Sequence, residues 1–443
     1  MGGRLVVIGG GAAGMSAASA ARRVDAGLDI VVLEAGSEVA YGLCGLPYYL
    51  SGVVDRADEL LAHPVEVFRD RRRIDLRTGA EVVSLDAGRH RLHYVQDGQE
   101  RTLKYRQLVV AAGGAPVVPD LPGVDDDAVF TVRTLTEAVR LRSLLDAGRI
   151  GRALVVGGGY VGLEMAEALH ARGVSVTLAE SLPRVLPNLD EPLAALVEKE
   201  LVAHGVDLRL STGLQRVYRN AAGLHAVVGG DVVSLDTVIL AVGVRAAGGV
   251  AAAAGAKTGP GGALLVDDQM RTSLPDVYAC GDAIAAHHRV LDRPAFVPLG
   301  PAANKTGRVA GTVAAGGQAR FAGVVGTAVV KVFDLAVART GLTLAEAEAE
   351  GLPAVATDVE GRSRAKYYPG SDTVTVRLVH RDDGRLLGAQ MIGSEGVAKR
   401  IDVVAAALQA GFCVADLVDL DLSYAPPYAP VYEPVLLAAQ RAV

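Results

Sequence analysis

The most regular pattern in the chain is a short apolar run closed by glycines, and it occurs twice. Leu5-Val6-Val7-Ile8 leads into Gly9-Gly10-Gly11-Ala12-Ala13-Gly14, then an alanine-rich stretch to about Arg23, then Ile30-Val31-Val32-Leu33 ending in Glu34. Ala153-Leu154-Val155-Val156 leads in the same way into Gly157-Gly158-Gly159-Tyr160-Val161-Gly162, a helical stretch through Ala171, and a run from Ser175 to Glu180. Apolar runs this short and continuous predict strands buried on both faces, and two of them flanking a helix predict a βαβ unit. Toward the C-terminus, the runs from Val374 to Val379 and from Leu386 to Gly393 flank Asp382-Asp383-Gly384, which predicts a hairpin.

Both glycine turns carry a full dinucleotide-binding fingerprint. Gly9 and Gly157 permit the tight turn, Gly11 and Gly159 let the backbone approach a pyrophosphate, and Gly14 and Gly162 bring helix against strand. Glu34 and Glu180, at the ends of the second strands, are placed to accept ribose hydroxyls. A carboxylate at Glu180 repels a 2′-phosphate, so the second site is expected to take NADH, with NADPH left open by Arg184 four residues on. Two dinucleotides in one chain imply a relay between a resident cofactor and a visiting one.

Composition narrows the class. At about 150 residues per domain, 443 residues predict about three domains. A net charge of −6 with scattered Lys and Arg offers no field for nucleic acid, and the short cluster from Arg69 to Arg73, flanked by Asp70 and Asp75, reads as a solvated helix face. No apolar run reaches the roughly 20 residues that span a bilayer, so no membrane partner is expected. Met1-Gly2-Gly3-Arg4 runs directly into the first strand, so neither a signal peptide nor myristoylation of Gly2 is expected. Three cysteines at 44, 280 and 413 are too few for a disulfide framework or a metal site, which points to reducing cytoplasm and to no bound metal.

Cys44 has no second cysteine five residues away on either side. A lone redox thiol pairs with something brought to it: a small thiol, a sulfane sulfur, or oxygen as a sulfenic acid. Gly45 and Pro47 predict a helix start whose dipole favours the thiolate. Cys280 and Cys413 sit among apolar residues and read as structural.

Thr272-Ser273-Leu274-Pro275-Asp276-Val277-Tyr278-Ala279-Cys280-Gly281-Asp282-Ala283 resembles the second FAD motif of the two-dinucleotide flavoprotein disulfide reductases. The stretches Leu108 to Pro116 and Val238 to Arg245 resemble that family's crossings between FAD and NAD domains, although Ala246-Ala247 replaces the usual Pro-Asn. Pro298 to Arg308 resembles its helix start beneath the flavin, and Lys331 to Leu342 the opening of its interface domain. The resemblance implies an α/β chain of two Rossmann-like dinucleotide-binding domains and an α+β dimerisation domain. Residues 1–118 and 246–322 would bind FAD, 119–245 NAD(P)H, and 323–443 would form a homodimer. For FAD it implies Gly9, Gly11, Ala12, Ala13, Gly14, Glu34, Ala35, Val83, Ala112, Gly113, Arg133, Asp282, Pro298, Leu299 and Ala302. For NAD it implies Gly157, Gly159, Tyr160 as a gate over the nicotinamide, Val161, Gly162, Glu164, Glu180 and Gly243.

The surroundings of Cys44 resemble the single-cysteine branch of these pyridine nucleotide-disulfide oxidoreductases, nearest the coenzyme A disulfide reductases and with persulfide reductase, NADH oxidase and peroxidase relatives. In that branch Cys44 would form a mixed disulfide with a small thiol such as coenzyme A. Tyr424 and, from a second segment, Tyr367 and Tyr368 would act across the dimer, Tyr428 would lie near the substrate, and Arg22 and Arg23 would meet its phosphates. Interface packing accounts for the tyrosines and helix-end capping for the arginines as alternatives. The branch usually has a serine and an asparagine where this chain has Ala40 and Leu43, which leaves the sulfur substrate open. Its oxidases and peroxidases usually place a histidine in the first glycine turn, where this chain has Ala12-Ala13, so oxygen or peroxide is the second reading. No rhodanese domain is expected after the interface unit.

Overall fold

A computed structural model describes residues 3–443, so the readings made for Met1 and Gly2 lie outside the described residues. The two glycine-closed repeats build two five-stranded parallel sheets. In the first, Arg4–Ile8 lies between Asp29–Leu33 and Gln107–Val110, with Asp75–Arg77 and Val277–Ala279 at the edges. In the second, Arg152–Val156 lies between Ser175–Ala179 and Thr237–Leu240, with Asp207–Arg209 and Val129–Phe130 outside them. The central strands are buried almost to the last residue, as continuous Val, Leu and Ile runs require once helices cover both faces.

The two crossing segments meet. Gly114–Pro116 pairs antiparallel with Val244–Ala246, so the chain leaves the first sheet region and returns to it through one two-stranded ribbon. Beyond it, Ala328–Val332, Leu335–Gly341, Leu386–Gly393, Thr373–Arg381 and Ala354–Arg362 form an antiparallel sheet in that spatial order. The hairpin read at Asp382-Asp383-Gly384 joins two of these strands, with Gly384 at φ +82°. Helices Val397–Ala410 and Pro434–Ala442 pack on the sheet.

Helix Ala12–Val24 packs closely along helix Gly300–Ala314. A Cβ at Gly307 would lie 2.2 Å from the carbonyl oxygen of Ala13, and one at Gly311 1.9 Å from that of Ala17. Only glycine permits this approach. It brings Asn304, Lys305 and Arg308 beside Arg23 at one mouth of the first sheet.

The cluster from Arg69 to Arg73 lies at the surface as expected, with Arg69, Asp70, Arg71 and Arg73 exposed and Arg72 half-buried. Val67–Arg71 forms a single π turn, and three arginines of the cluster also bond the protein: Arg72 donates to Ser19 Oγ at 2.6 Å and stacks over Phe68, Arg73 donates to the carbonyl of Ala26, and Arg69 to that of Leu76. The acceptors are a hydroxyl on helix Ala12–Val24, a carbonyl in the loop after it and a carbonyl of strand Asp75–Arg77.

His288, 4% exposed, ends the strand Ile284–His288, and its Nδ1 accepts from the Leu291 N–H. Burial, reinforced by Arg339, lowers its pKa to about 4 from 6.5. The unfolded chain binds this proton more readily, so stability falls as pH drops from 6.5 toward 4, by up to ~1.4 kcal/mol per unit. Urea unfolding across that range should show this slope in the wild type and a flatter one in His288→Asn.

Candidate functional site

The glycine turns, both glutamates and the second FAD motif all follow the C-terminal ends of parallel strands, the edge where open α/β sheets bind ligands. Gly9 and Gly157 have φ of +98° and +106°, a conformation only glycine adopts freely. A Cβ on Gly11 or on Gly159 would meet no protein atom within 4 Å. The fold therefore has no use for glycine there, and the open space suits a pyrophosphate at a helix N-terminus. The paired carboxylates are held alike. Glu34 accepts from the N–H groups of Gly10 at 2.6 Å and Gly36 at 2.7 Å, and Glu180 from those of Gly158 at 2.6 Å and Leu182 at 2.8 Å. Glu180 Oε1 also accepts from the Ser181 hydroxyl at 3.1 Å, while Glu180 Oε2 and both oxygens of Glu34 keep a lone pair for a ribose hydroxyl. Arg184 is taken up by Glu191 at 3.1 Å.

Around the first turn, Ala35 is exposed beside Glu34, and Ala112 and Gly113 follow the strand Gln107–Val110. Val83, half exposed, sits at the register shift between Val82 and Ser84, where it has no cross-strand partner. Arg133 donates to the Gly114 carbonyl at 3.1 Å and lies 3.5 Å from the Asp282 carboxylate. Pro298 and Leu299 precede helix Gly300–Ala314, whose first turn contains Ala302. At the second turn, Tyr160 opens helix Tyr160–His170, Val161 is 43% exposed and Gly243 has φ +120°.

Cys44 lies in the 3₁₀ turn Leu43–Gly45, just before helix Leu46–Ser51. The residue is exposed, yet desolvation by its surroundings raises the thiol pKa, the Glu164 and Asp282 carboxylates raise it further, and Arg133 opposes them. The expected lowering by a helix dipole is thus corrected. The helix is only six residues long, and desolvation, followed by the two carboxylates, outweighs it. Glu164 is itself pushed up to about 7 by burial and by Glu167, and burial followed by these two acids raises Tyr48. Cys44, Tyr48, Glu164, Asp282 and Arg133 therefore form one electrostatic cluster. Because the Glu164 charge opposes the thiolate above about pH 7, Glu164→Gln should speed iodoacetamide labelling of Cys44 at pH 8 by about three- to tenfold.

A cleft of about 570 Å³ opens between the two close-packed helices and the π turn, and Ala40, Tyr41 and Gly42 lead it toward Cys44. Arg23, Arg72, Lys305 and Arg308 line it with His63 and Asn304, and no carboxylate does. Arg22, expected beside Arg23, turns away: its guanidinium donates to the carbonyls of Arg72, Asp25, Ala26 and Arg73 at 2.7–3.4 Å, which occupies four of its five N–H groups. Asn304, Lys305 and Arg308 escaped the sequence reading, although their spacing puts three polar residues along one side of a helix otherwise rich in Ala, Gly and Val. Arg72 was hidden inside a charge cluster.

Cys280 is fully buried, with its thiol pushed up to about 12 by desolvation. Cys413 is only half-buried and caps helix Val414–Val418. Tyr367, Tyr368, Tyr424 and Tyr428 are 76%, 36%, 50% and 80% exposed, and none contributes to the Cys44 electrostatics within the chain. Tyr367 hydrogen-bonds Tyr424, whose pKa this bond raises. Among the described residues, one group of metal-type ligands stands close together: Glu200, His204 and Asp334, within 4.8 Å of one another. There His204 Nδ1 donates to the Glu200 carbonyl at 3.0 Å and the Asp334 N–H to Glu200 Oε1 at 2.9 Å, which clasps a helix to a hairpin turn. No helix among the described residues is long and apolar enough to cross a membrane.

Two glycine turns shaped for pyrophosphate in one chain, with one exposed thiol, Cys44, define a two-nucleotide redox enzyme. The model of the pyridine nucleotide-disulphide oxidoreductases matches residues 3–319, and that of their dimerisation domain residues 327–434. This chain belongs to that family, with FAD and NAD(P)H as its cofactors. It is 38% identical to the NAD(P)H coenzyme A polysulfide/persulfide reductase of Pyrococcus horikoshii, over 99% of this chain and 98% of the relative. It is 35% identical to the NADH oxidase of Methanocaldococcus jannaschii, over 99% and 98%. The solved NAD-dependent persulfide reductase of A. fulgidus superposes with a TM-score of 0.95 at 37% identity, covering 99% of this chain and 82% of that one.

Proposed function

We propose that this chain works in the cytoplasm as a homodimer that reduces coenzyme A disulfide, or a persulfide or polysulfide of a similar thiol, through a mixed disulfide at Cys44. The observation that carries the reading is the cleft leading to Cys44, which four cations and no carboxylate line. Such a wall recruits a phosphate-bearing substrate and rejects neutral or cationic disulfides. Residues 1–118 with 246–322 hold FAD, 119–245 hold the nicotinamide nucleotide, and 323–443 pair the subunits.

When bound, FAD carries two electrons from NAD(P)H to sulfur. The Gly9–Gly14 turn, Glu34, Ala35, Val83, Ala112, Gly113, Arg133 and Asp282 hold it, and Pro298, Leu299 and Ala302 present the N-terminus of helix Gly300–Ala314, where negative charge is stabilised. Gly157, Gly159, Val161, Gly162 and Gly243 shape the nicotinamide nucleotide site, with Glu180 favouring NADH over NADPH. The Cys44 thiolate attacks one sulfur of the substrate disulfide, forms Cys44–S–S–R and releases the other half as R–S⁻. A two-electron reduction of that mixed disulfide regenerates the Cys44 thiolate and a second R–S⁻. Tyr424 of the other subunit, bonded to Tyr367, supplies a neutral O–H donor to the departing thiolate, and Tyr368 and Tyr428 complete that wall. Arg23, not Arg22, meets the phosphates.

The test is Arg23→Ala combined with Arg308→Ala. KM for coenzyme A disulfide should rise about 10- to 100-fold, while turnover of the uncharged hydroxyethyl disulfide is unchanged. Equal effects on both substrates would overturn the reading. So would rapid, Cys44-dependent oxygen uptake ending in water, which belongs to the oxidase chemistry.

A further inference from the structure

Tyr160 reaches beyond its own glycine turn. Its hydroxyl accepts a hydrogen bond from Asn188 Nδ2 at 3.0 Å. Asn188 lies in residues 186–190, the segment between strand Ser175–Ala179 and helix Glu191–Ala203. At one end the Leu186 N–H donates to the carbonyl of Gly158 in the second glycine turn itself. Leu186 holds φ +47°, a strained value for leucine, so surrounding contacts must fix this segment.

The other fixings come from the dimerisation unit, about 150 to 200 residues away in sequence. Arg339, 8% exposed, donates to the Asn188 carbonyl at 2.7 Å, to the Gly341 carbonyl and to both carboxylate oxygens of Glu346. Two residues on, Asp190 is 7% exposed. Its N–H donates to Gln390 Oε1 at 2.6 Å, and its carboxylate accepts from Gln390 Nε2 at 2.5 Å. A largely buried network in which an arginine makes four hydrogen bonds costs heavily to disturb and favours one geometry. Packing alone would be served as well by apolar side chains.

We infer that Asn188 and Arg339 are positioning residues for Tyr160: through this buried chain the dimerisation unit holds the phenol in place and thereby sets the affinity for NADH. The inference rests on reading Tyr160 as the gate over the nicotinamide. A nicotinamide that enters by displacing the ring must break the Asn188 bond, so the bond opposes NADH binding without touching the reacting atoms.

The experiment is a double-mutant cycle on the FAD-loaded dimer, with KM for NADH and kcat read separately. Asn188→Ala and Tyr160→Phe each remove the same hydrogen bond, so each should lower KM for NADH about three- to tenfold at unchanged kcat, and the double variant should show the same shift and no more. Arg339→Lys, which keeps the charge but loses the fork, should give a smaller shift in the same direction that disappears in a Tyr160→Phe background. Additive shifts, or no shift in Asn188→Ala while Tyr160→Ala alters KM, would overturn the inference and leave the gate standing. No change in KM for NADH in Tyr160→Ala would instead overturn the gate reading on which it rests.

Discussion

Cys44→Ser is expected to cut turnover of coenzyme A disulfide about a thousandfold or more, while NADH still reduces the bound FAD at the wild-type rate. A serine hydroxyl cannot form a mixed disulfide, and the chain holds no substitute: Cys280 is fully buried with its thiol pushed up to about 12, and Cys413 caps a helix. Stopped-flow absorbance follows reduction of the flavin, and release of free thiol reports turnover. A variant that kept disulfide turnover would mean that sulfur is reduced without Cys44. The wild-type thiol should resist alkylation at neutral pH more than an ordinary surface cysteine, because Glu164 and Asp282 add to its desolvation. Faster labelling with FAD bound than without would identify the cofactor as the group that stabilises the thiolate.

Gly159→Ala should lower kcat/KM for NADH at least about a hundredfold and leave the folded protein, its FAD and its thermal midpoint unchanged. The added methyl meets no protein atom within 4 Å, so any loss comes from what approaches the turn. Chemical reduction by dithionite should still proceed and still support disulfide cleavage. This separates the second nucleotide site from the first: Gly11→Ala, equally free of clashes within the chain, should instead yield protein that purifies without FAD. If Gly159→Ala left NADH kinetics intact, the second turn would not carry the nucleotide.

The elements that local patterning decides were legible. The apolar runs ending at Gly9 and Gly157 form central parallel strands, and Asp382-Asp383-Gly384 turns the hairpin as read. Glu34 and Glu180 stand where the fingerprint puts them, each with the same pair of backbone donors. These features rest on periodicity and turn chemistry within about 30 residues, and one sequence carries that information. The charge cluster from Arg69 to Arg73 is exposed as expected, but the bond of Arg72 to Ser19, 53 residues earlier, was not legible in the sequence. Arg22 and Arg23 are adjacent on one helix end, yet only Arg23 meets the cleft, since Arg22 donates to the carbonyls of Asp25 and Ala26 at that end, as the helix-end alternative had it, and to those of Arg72 and Arg73, which local spacing does not reveal.

The sequence by itself determined two nucleotide sites, one lone thiol and the family, because glycine turns, acidic strand ends and a solitary cysteine are local and sparse. Tertiary structure alone decided the electrostatics and the substrate wall. The Cys44 thiol pKa is raised first by desolvation, then by Glu164, 120 residues away, and Asp282, 238 away, and the four cations of its cleft come from three separate segments. Charge interactions depend on distance through space and on the exclusion of water, and both are set only when the glycine-lined helices close on each other.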